Sequence, residues 1–170
     1  LKLHHIEHKN YIGGRYSVLS EVGMVPAYLM GLNIKRIRQN LLNHFKTKNK
    51  KFLKESSITL TNLLQNNKFK DLVLFNYAPK LDKFLYWNQQ LIAESLGKKG
   101  KGFLPLISTA PKDHHSLMQL YLDGPRDKIF YIFSEERPNS KRIKIKRFDK
   151  RIDFLQNKSL QQVKNAQKNA

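Results

Sequence analysis

Up to about residue 64, apolar positions recur every three or four residues; from residue 72 they arrive in short unbroken runs. The first period predicts helices and the second predicts strands buried on both faces. Residues 17–30 read as a helix opened by Ser17 as N-cap and carrying Val18, Val22 and Val25. Pro26 should kink it and Gly31 should stop it. Asn33 then caps a second helix with Ile34, Ile37, Leu41 and Phe45 on one face, and residues 51–66 form a third with Phe52, Leu60, Leu63 and Leu64. The run 72–75 is the first strand. Pro79 opens a long helix at about 80–96, on which Leu81, Phe84, Leu85, Leu91 and Ile92 form the core stripe. Residues 103–107 read as a strand that Pro105 confines to an edge or bulge, 114–122 as a short helix, and 128–133 as a further strand. Strands alternating with helices indicate an α/β fold, a parallel sheet covered on both faces in a three-layer αβα sandwich.

The remainder is more polar. Residues 135–150 are charged and contain Pro138 and Asn139, as a surface connection would. Within them, Lys141 to Arg147 alternates basic residues with Ile143 and Ile145, which suits a short edge strand with one solvated face. Gln161 to Ala170 reads as a polar helix.

Composition narrows the class. The 170 residues are 40% hydrophobic, enough for one globular domain with a core. Cysteine is absent, which excludes a disulfide framework, a thiolate nucleophile and a thiolate metal site. No apolar run approaches the roughly 20 residues that span a bilayer, and no signal peptide is visible, so a cytoplasmic protein without a membrane partner is expected. The chain opens on Leu1 rather than Met, which reads as a processed or truncated start. A formal charge of +19 invites a nucleic-acid partner. The basic residues are spread along most of the chain, however, and an excess of Lys and Asn over Ala and Gly fits an AT-rich coding sequence. No nucleic-acid partner is therefore expected, while a phosphorylated sugar, itself an anion, would be drawn in by the same field.

Three segments carry candidate chemistry. Gly13-Gly14 before a helix start lets a backbone approach a ligand, and Arg15 stands at that opening. On the long helix, Trp87, Gln90 and Glu94 are three and four residues apart and share a face distinct from the core stripe. An aromatic wall, an amide and a carboxylate in a row suit a sugar site. Glu94 falls in the last turn before Gly97, where the negative end of the helix dipole should raise its pKa, with Lys98 pulling the other way. His115 lies beside His114 in Asp113-His114-His115-Ser116; adjacent histidines point apart and seldom share a metal. His4, His5 and His8 could hold zinc but read better as a solvated terminal segment. Together these segments offer a cation, a carboxylate and an imidazole, the groups that remove a proton from carbon next to a carbonyl.

In their order and surroundings the segments resemble the C-terminal part of the glucose-6-phosphate isomerase family. The resemblance is carried by residues 12–18 with Gly23, by Asn76-Tyr77, by the run from Trp87 to Lys98, and by residues 114–120 with Gly124, over about residues 8–135. It implies a sugar-isomerase subdomain at residues 1–135, the second of the family's two, followed by a charged connection and a shortened helical segment at 136–170. The sandwich would then be incomplete at both ends. It also implies roles. Arg15, with Gly14, binds substrate and steadies the negative intermediate; Glu94 carries the proton between two carbons; Gln90 contacts the sugar. His115 helps open the ring and serves the neighbouring subunit of a homodimer. Neither a metal nor an organic cofactor is implied. Two departures stand out. The family's first subdomain, which grips the phosphate, has no counterpart here, and nor does its C-terminal Gln-x-Gly-Val-Glu-x-x-Lys segment near Gln167 to Ala170. The expected function is interconversion of glucose 6-phosphate and fructose 6-phosphate through an enediol by a longer enzyme, this stretch being inactive alone. A non-catalytic sugar-phosphate-binding module and a basic nucleic-acid-binding protein are the alternatives.

Overall fold

A computed structural model describes residues 5–136, 141–144 and 150–169. Leu1, His4, Pro138, Asn139, Ile145, Arg147 and Ala170, which figure in the expectations above, lie outside the described residues. The chain forms two compact units, Leu1–Asn62 and Leu63–Ala170.

The first unit is helical. Gly14–Leu19 is a 3-10 turn, followed by helices α1 (Glu21–Leu29) and α2 (Ile34–Arg38), a second 3-10 turn at Leu41–Phe45, and most of α3 (Thr47–Gln65). The single helix expected at 17–30 is therefore two elements. Ser17 does not cap it: its hydroxyl donates to the Gly14 carbonyl at 2.7 Å and tightens the 3-10 turn. Ser20, in extended conformation, caps α1 instead, accepting from the Val22 amide at 3.4 Å. Pro26 lies inside α1, and Gly31, at φ +79°, supplies the left-handed residue just beyond its end. Asn33 caps α2 as expected, its Oδ1 accepting from the Arg36 amide at 2.9 Å, but the helix stops at Arg38 and so does not carry Leu41 and Phe45. Asn40 opens the 3-10 turn there, Asn being a residue that readily trades helix for local turns.

The second unit is built on a three-stranded parallel sheet in the order β2-β1-β3, with β1 (Asp71–Asn76) central, β2 (Leu104–Thr109) on one edge and β3 (Lys128–Phe133) on the other. Asn76, Thr109 and Phe133 share a register row at the carboxyl end. Helix α4 (Asp82–Leu96), entered through a 3-10 turn at Pro79–Leu81, joins β1 to β2; α5 (Lys112–Ser116) and α6 (Met118–Asp123) join β2 to β3. One crossover moves to the left of β1 and the next to its right, so two right-handed connections place their helices on opposite faces. Accordingly, Val73, Phe75 and Tyr77 pack with Ala110 against Met118 and Tyr121 of α6. Leu72 and Leu74, of opposite parity, are buried on the other face, and Leu85 of α4 is buried too. The fold is α/β, a parallel sheet flanked by helices, as the alternation of periods predicts.

Three local outcomes differ from expectation. Phe84 is 42% exposed rather than core, and packs edge-on against Trp87 with ring centroids 5.8 Å apart. The helix expected at 114–122 breaks at Leu117 into α5 and α6. Of the strand expected at 141–147, the described residues contribute a single antiparallel bridge, Arg142 to Ser159. Pro105 does lie on an edge strand. Leu104 donates to the Lys70 carbonyl across the ladder, so Pro105 turns its nitrogen to the open side, where its carbonyl accepts from Gln89 Nε2 at 2.7 Å. The last helix, α7 (Leu160–Asn169), begins in a reciprocal cap: the Gln162 amide donates to Ser159 Oγ at 3.1 Å and the Ser159 amide to Gln162 Oε1 at 2.7 Å.

Candidate active site

Gly14 and Arg15 belong to the first unit, at the start of the 3-10 turn. Tyr16 N–H donates to the Gly13 carbonyl at 2.9 Å, and the Arg15 guanidinium lies 5.9 Å from the centre of the Tyr16 ring. The glycine pair thus leads into a tight turn rather than directly into an α-helix.

Gln90, Glu94 and His115 all belong to the second unit. Gln90 and Glu94, one turn apart on α4, are joined: Gln90 Nε2 donates to Glu94 Oε1 at 2.8 Å. Both are exposed, with Trp87 half-buried one turn before Gln90. Gly97 ends the helix, its amide donating to the Ala93 carbonyl at 2.9 Å, so Glu94 does occupy the last turn. Lys98 turns back through a short bridge to Lys101.

His115 sits on α5, immediately beyond the carboxyl end of β2, and is exposed. The two residues before it are not. Asp113 is only 7% exposed; its Oδ2 accepts from the Thr109 amide at 2.7 Å and the Ser108 hydroxyl at 3.1 Å, and its Oδ1 from the Ser116 hydroxyl at 3.2 Å. Burial pushes its pKa up, but these donors, with Lys112 nearby, outweigh it and hold the carboxyl below its usual value. His114 turns the other way from His115. Its Nε2 is hydrogen-bonded to the Tyr77 hydroxyl at 2.7 Å, and its ring lies 5.6 Å from both the Phe75 and Tyr77 rings. The Tyr77 hydroxyl also donates to the Gln167 carbonyl of α7 at 3.3 Å, and a phenol has one proton, so His114 Nε2 is the donor in the pair. Burial raises the pKa of Tyr77. Beside it, the buried Asn76 donates to Asp82 Oδ1 at 2.7 Å and accepts from the Ala78 amide at 2.8 Å, tying the end of β1 to the start of α4.

The topology separates the two best candidates. Helix α4 leaves the carboxyl end of β1 and returns to the amino end of β2, so Glu94 near its end lies at the amino edge of the sheet. His115 follows the carboxyl end of β2. Six-residue strands put those edges about 20 Å apart. Glu94 and His115 of one copy are not brought together.

The network of Asp113, His114 and Tyr77 is what sequence reading misses. Its signal was available as two polar pairs, Ser108-Thr109 and Asp113-His114, either side of Pro111. Among the described residues, no group of three or more His, Cys, Asp or Glu side chains could hold a metal ion. His8 pairs with Glu21 through Nδ1, and its Nε2 lies 3.0 Å from the Ile12 carbonyl. The bond to Glu21, helped by the Ile12 carbonyl, raises the His8 pKa, and the bond to His8 lowers that of Glu21. Among the described residues, no helix is long and apolar enough to cross a membrane.

No family model matches the chain. Curated relatives do. The chain is 39% identical over 122 residues to a glucose-6-phosphate isomerase of Methanocaldococcus jannaschii, a match covering 69% of this chain and 30% of that protein. It is 34% identical over 125 residues to the enzyme of that name from Rubrobacter xylanophilus, covering 71% and 29%. The match to the one from Mycoplasmopsis synoviae is 31% over 171 residues, covering 94% and 39%. A solved hypothetical protein of Thermus thermophilus superposes with a TM-score of 0.74 at 25% identity, over 91% of this chain and 39% of that one. The chain spans about three tenths of the length of the first two relatives. Over the stretch they share, it belongs to the glucose-6-phosphate isomerase family.

Proposed function

We propose that this chain is the proton-transfer portion of a cytoplasmic aldose–ketose isomerase that interconverts glucose 6-phosphate and fructose 6-phosphate through an enediol. Glu94 is the base that takes the C2 proton and returns it to C1, while Gln90 holds the Glu94 carboxylate by a direct hydrogen bond and contacts the sugar. Arg15 stabilises the negative charge of the intermediate, with the Gly14 backbone leaving room for the substrate. His115 assists ring opening at the site of a second copy in a homodimer. The substrate, an anion, is attracted by a chain of net charge +19 and is confined to the cell interior by its own charge.

The observation that carries this reading is the separation of Glu94 and His115 to opposite edges of one sheet. Each is exposed, and each stands at a helix end anchored by neighbouring hydrogen bonds. Two groups required by one reaction, yet about 20 Å apart in one copy, meet only if a second copy supplies one of them. The chain alone lacks the phosphate grip and the C-terminal lysine segment that the family resemblance leads one to expect, so the isolated 170 residues should show no measurable turnover.

The test uses a hybrid in which this chain replaces the matching stretch of the Methanocaldococcus jannaschii enzyme. Glu94→Gln should lower turnover by roughly 100-fold or more with little change in substrate affinity. His115→Ala subunits mixed with Glu94→Gln subunits should regain about a quarter of full activity, because random pairing makes half the dimers mixed and gives each one intact site. Near-normal turnover of Glu94→Gln would defeat the assignment of the base. No recovery after proven subunit exchange would defeat the shared site.

A further inference from the structure

We propose that Asp113 and the Tyr77–His114 pair are positioning residues for His115: together they fasten α5 to the carboxyl ends of two adjacent strands and leave one imidazole facing outward. The inference rests on the isomerase reading for the task of His115, but the fastening itself stands on geometry alone.

Helical spacing makes the case. On α5, Asp113 and Ser116 are three apart and share a face, and the Asp113 carboxylate joins that face to the Ser108 and Thr109 end of β2. His114 is about 100° further round and reaches the central strand, bonding Tyr77 at 2.7 Å over the Phe75 ring. His115 is a further 100° on, about 200° from Asp113, and is thereby turned away from both attachments. A helix of five residues has almost no stability of its own, and its direction is whatever its anchors impose. Here the anchors are a buried carboxylate with three donors and a half-buried imidazole in an aromatic slot, on two different strands. Two anchors fix a rotation that one would leave free. The Tyr77 hydroxyl is in turn shared with the Gln167 carbonyl, and Lys164 Nζ donates to the Tyr77 carbonyl at 3.3 Å, so α7 braces the same point.

The first arm of the test uses the 170-residue chain and diethyl pyrocarbonate, which acylates accessible imidazole nitrogen, with labelling at each histidine read by mass spectrometry. His115 should label as a free imidazole does. His114 should label roughly fivefold more slowly at Nε2, since that nitrogen must give up its proton and a net hydrogen bond of about 1 kcal/mol before it can attack. Tyr77→Phe keeps the ring and removes the hydroxyl, and should bring His114 to the rate of His115 while amide protection along 71–76 is unchanged. Equal labelling of the two histidines in the unmodified chain would overturn the clamp. The second arm uses the hybrid enzyme. Tyr77→Phe should lower kcat roughly 10- to 100-fold with KM nearly constant, and should cost nothing further once His115→Ala is present. A full additional loss on the His115→Ala background would show that Tyr77 acts on stability rather than through His115. If His115→Ala itself leaves turnover normal, the isomerase role of His115 fails, and the labelling arm still decides the clamp.

Discussion

The two compact units of this chain keep their folds by different means. In Leu63–Ala170 the central strand is buried almost end to end, with Leu72, Val73, Leu74, Phe75 and Asn76 all out of solvent and Leu85 of α4 buried as well. In Leu1–Asn62 the one residue classed as buried among those described is a serine, Ser17. Its large apolar side chains stand open: Leu29 is 78% exposed and Leu42 82%. The first unit is shaped by local hydrogen bonds, the caps at Ser20 and Asn33 and the turn at Gly14, whereas the second is shaped by apolar burial about a sheet. Caps contribute about 1 kcal/mol each, and a buried leucine two or three times that, so the second unit should be much the firmer. The candidate catalytic groups divide the same way: Gly14 and Arg15 ride on the soft unit, Gln90, Glu94 and His115 on the firm one.

The contrast can be broken most forcefully at the core. Leu74→Ala or Leu85→Ala should each cost about 2–5 kcal/mol, from lost transfer energy and the cavity left behind. Leu29→Ala and Met30→Ala, at side chains mostly in solvent, should stay within about 0.5 kcal/mol. Urea titration followed by the fluorescence of Trp87, the one tryptophan, for the second unit and by far-ultraviolet circular dichroism for the helical first unit would measure them, and equal losses would erase the distinction.

The next largest effect belongs to Gly23. A Cβ built there falls 2.0 Å from the Val18 carbonyl oxygen and 2.7 Å from its carbon, both backbone atoms that cannot swing aside. Gly23→Ala should therefore open the 3-10 turn and α1. Amide exchange across 15–29 should accelerate while protection along 71–76 persists. Loss of protection in both stretches together would mean that the units do not unfold separately.

The smallest effect is electrostatic and has opposite signs in the two units. His8 has its pKa raised above 6.5 by Glu21, so its contribution is complete below that value and lost as pH rises through the folded pKa. Asp113 has its pKa lowered below 3.8, so its contribution is complete above that value and lost only as pH falls through the folded pKa. Moving from pH 6 to pH 8 should loosen the segment around His8 and Ile12 and leave α5 untouched. Amide exchange in residues 8–14 and 108–116 at the two values would check it, and a matching change in both stretches would contradict the assignment.

Much of the architecture was legible without coordinates. The strand expected at 128–133 is β3 to the residue, although as an edge strand it is only partly buried, and the run 72–75 lies inside β1, where burial on both faces requires apolar residues at successive positions. Pro105 announced an edge. The capping box of Ser159 and Gln162 was equally readable, and would have placed the start of α7 at Leu160 rather than Gln161. Ser17 and Ser20 were not separable in that way. Both are good caps by composition, and which one serves depends on whether residues 14–19 wind as α or 3-10, a difference of one hydrogen-bond step.

Periodicity and residue type determined, by themselves, the class of fold, the order of its elements, the helix-end placement of Glu94 and the opposed directions of two neighbouring histidines, because each follows from spacing along one chain. Only the tertiary structure decided which histidine is clamped and which is free to face outward, since that turns on Tyr77, 37 residues before His114, and on Asp113 finding the end of β2. It also decided that Glu94 and His115 stand at opposite edges. Parallel pairing sends α4 back along the sheet before the next strand begins, and no local pattern records how strands will be paired.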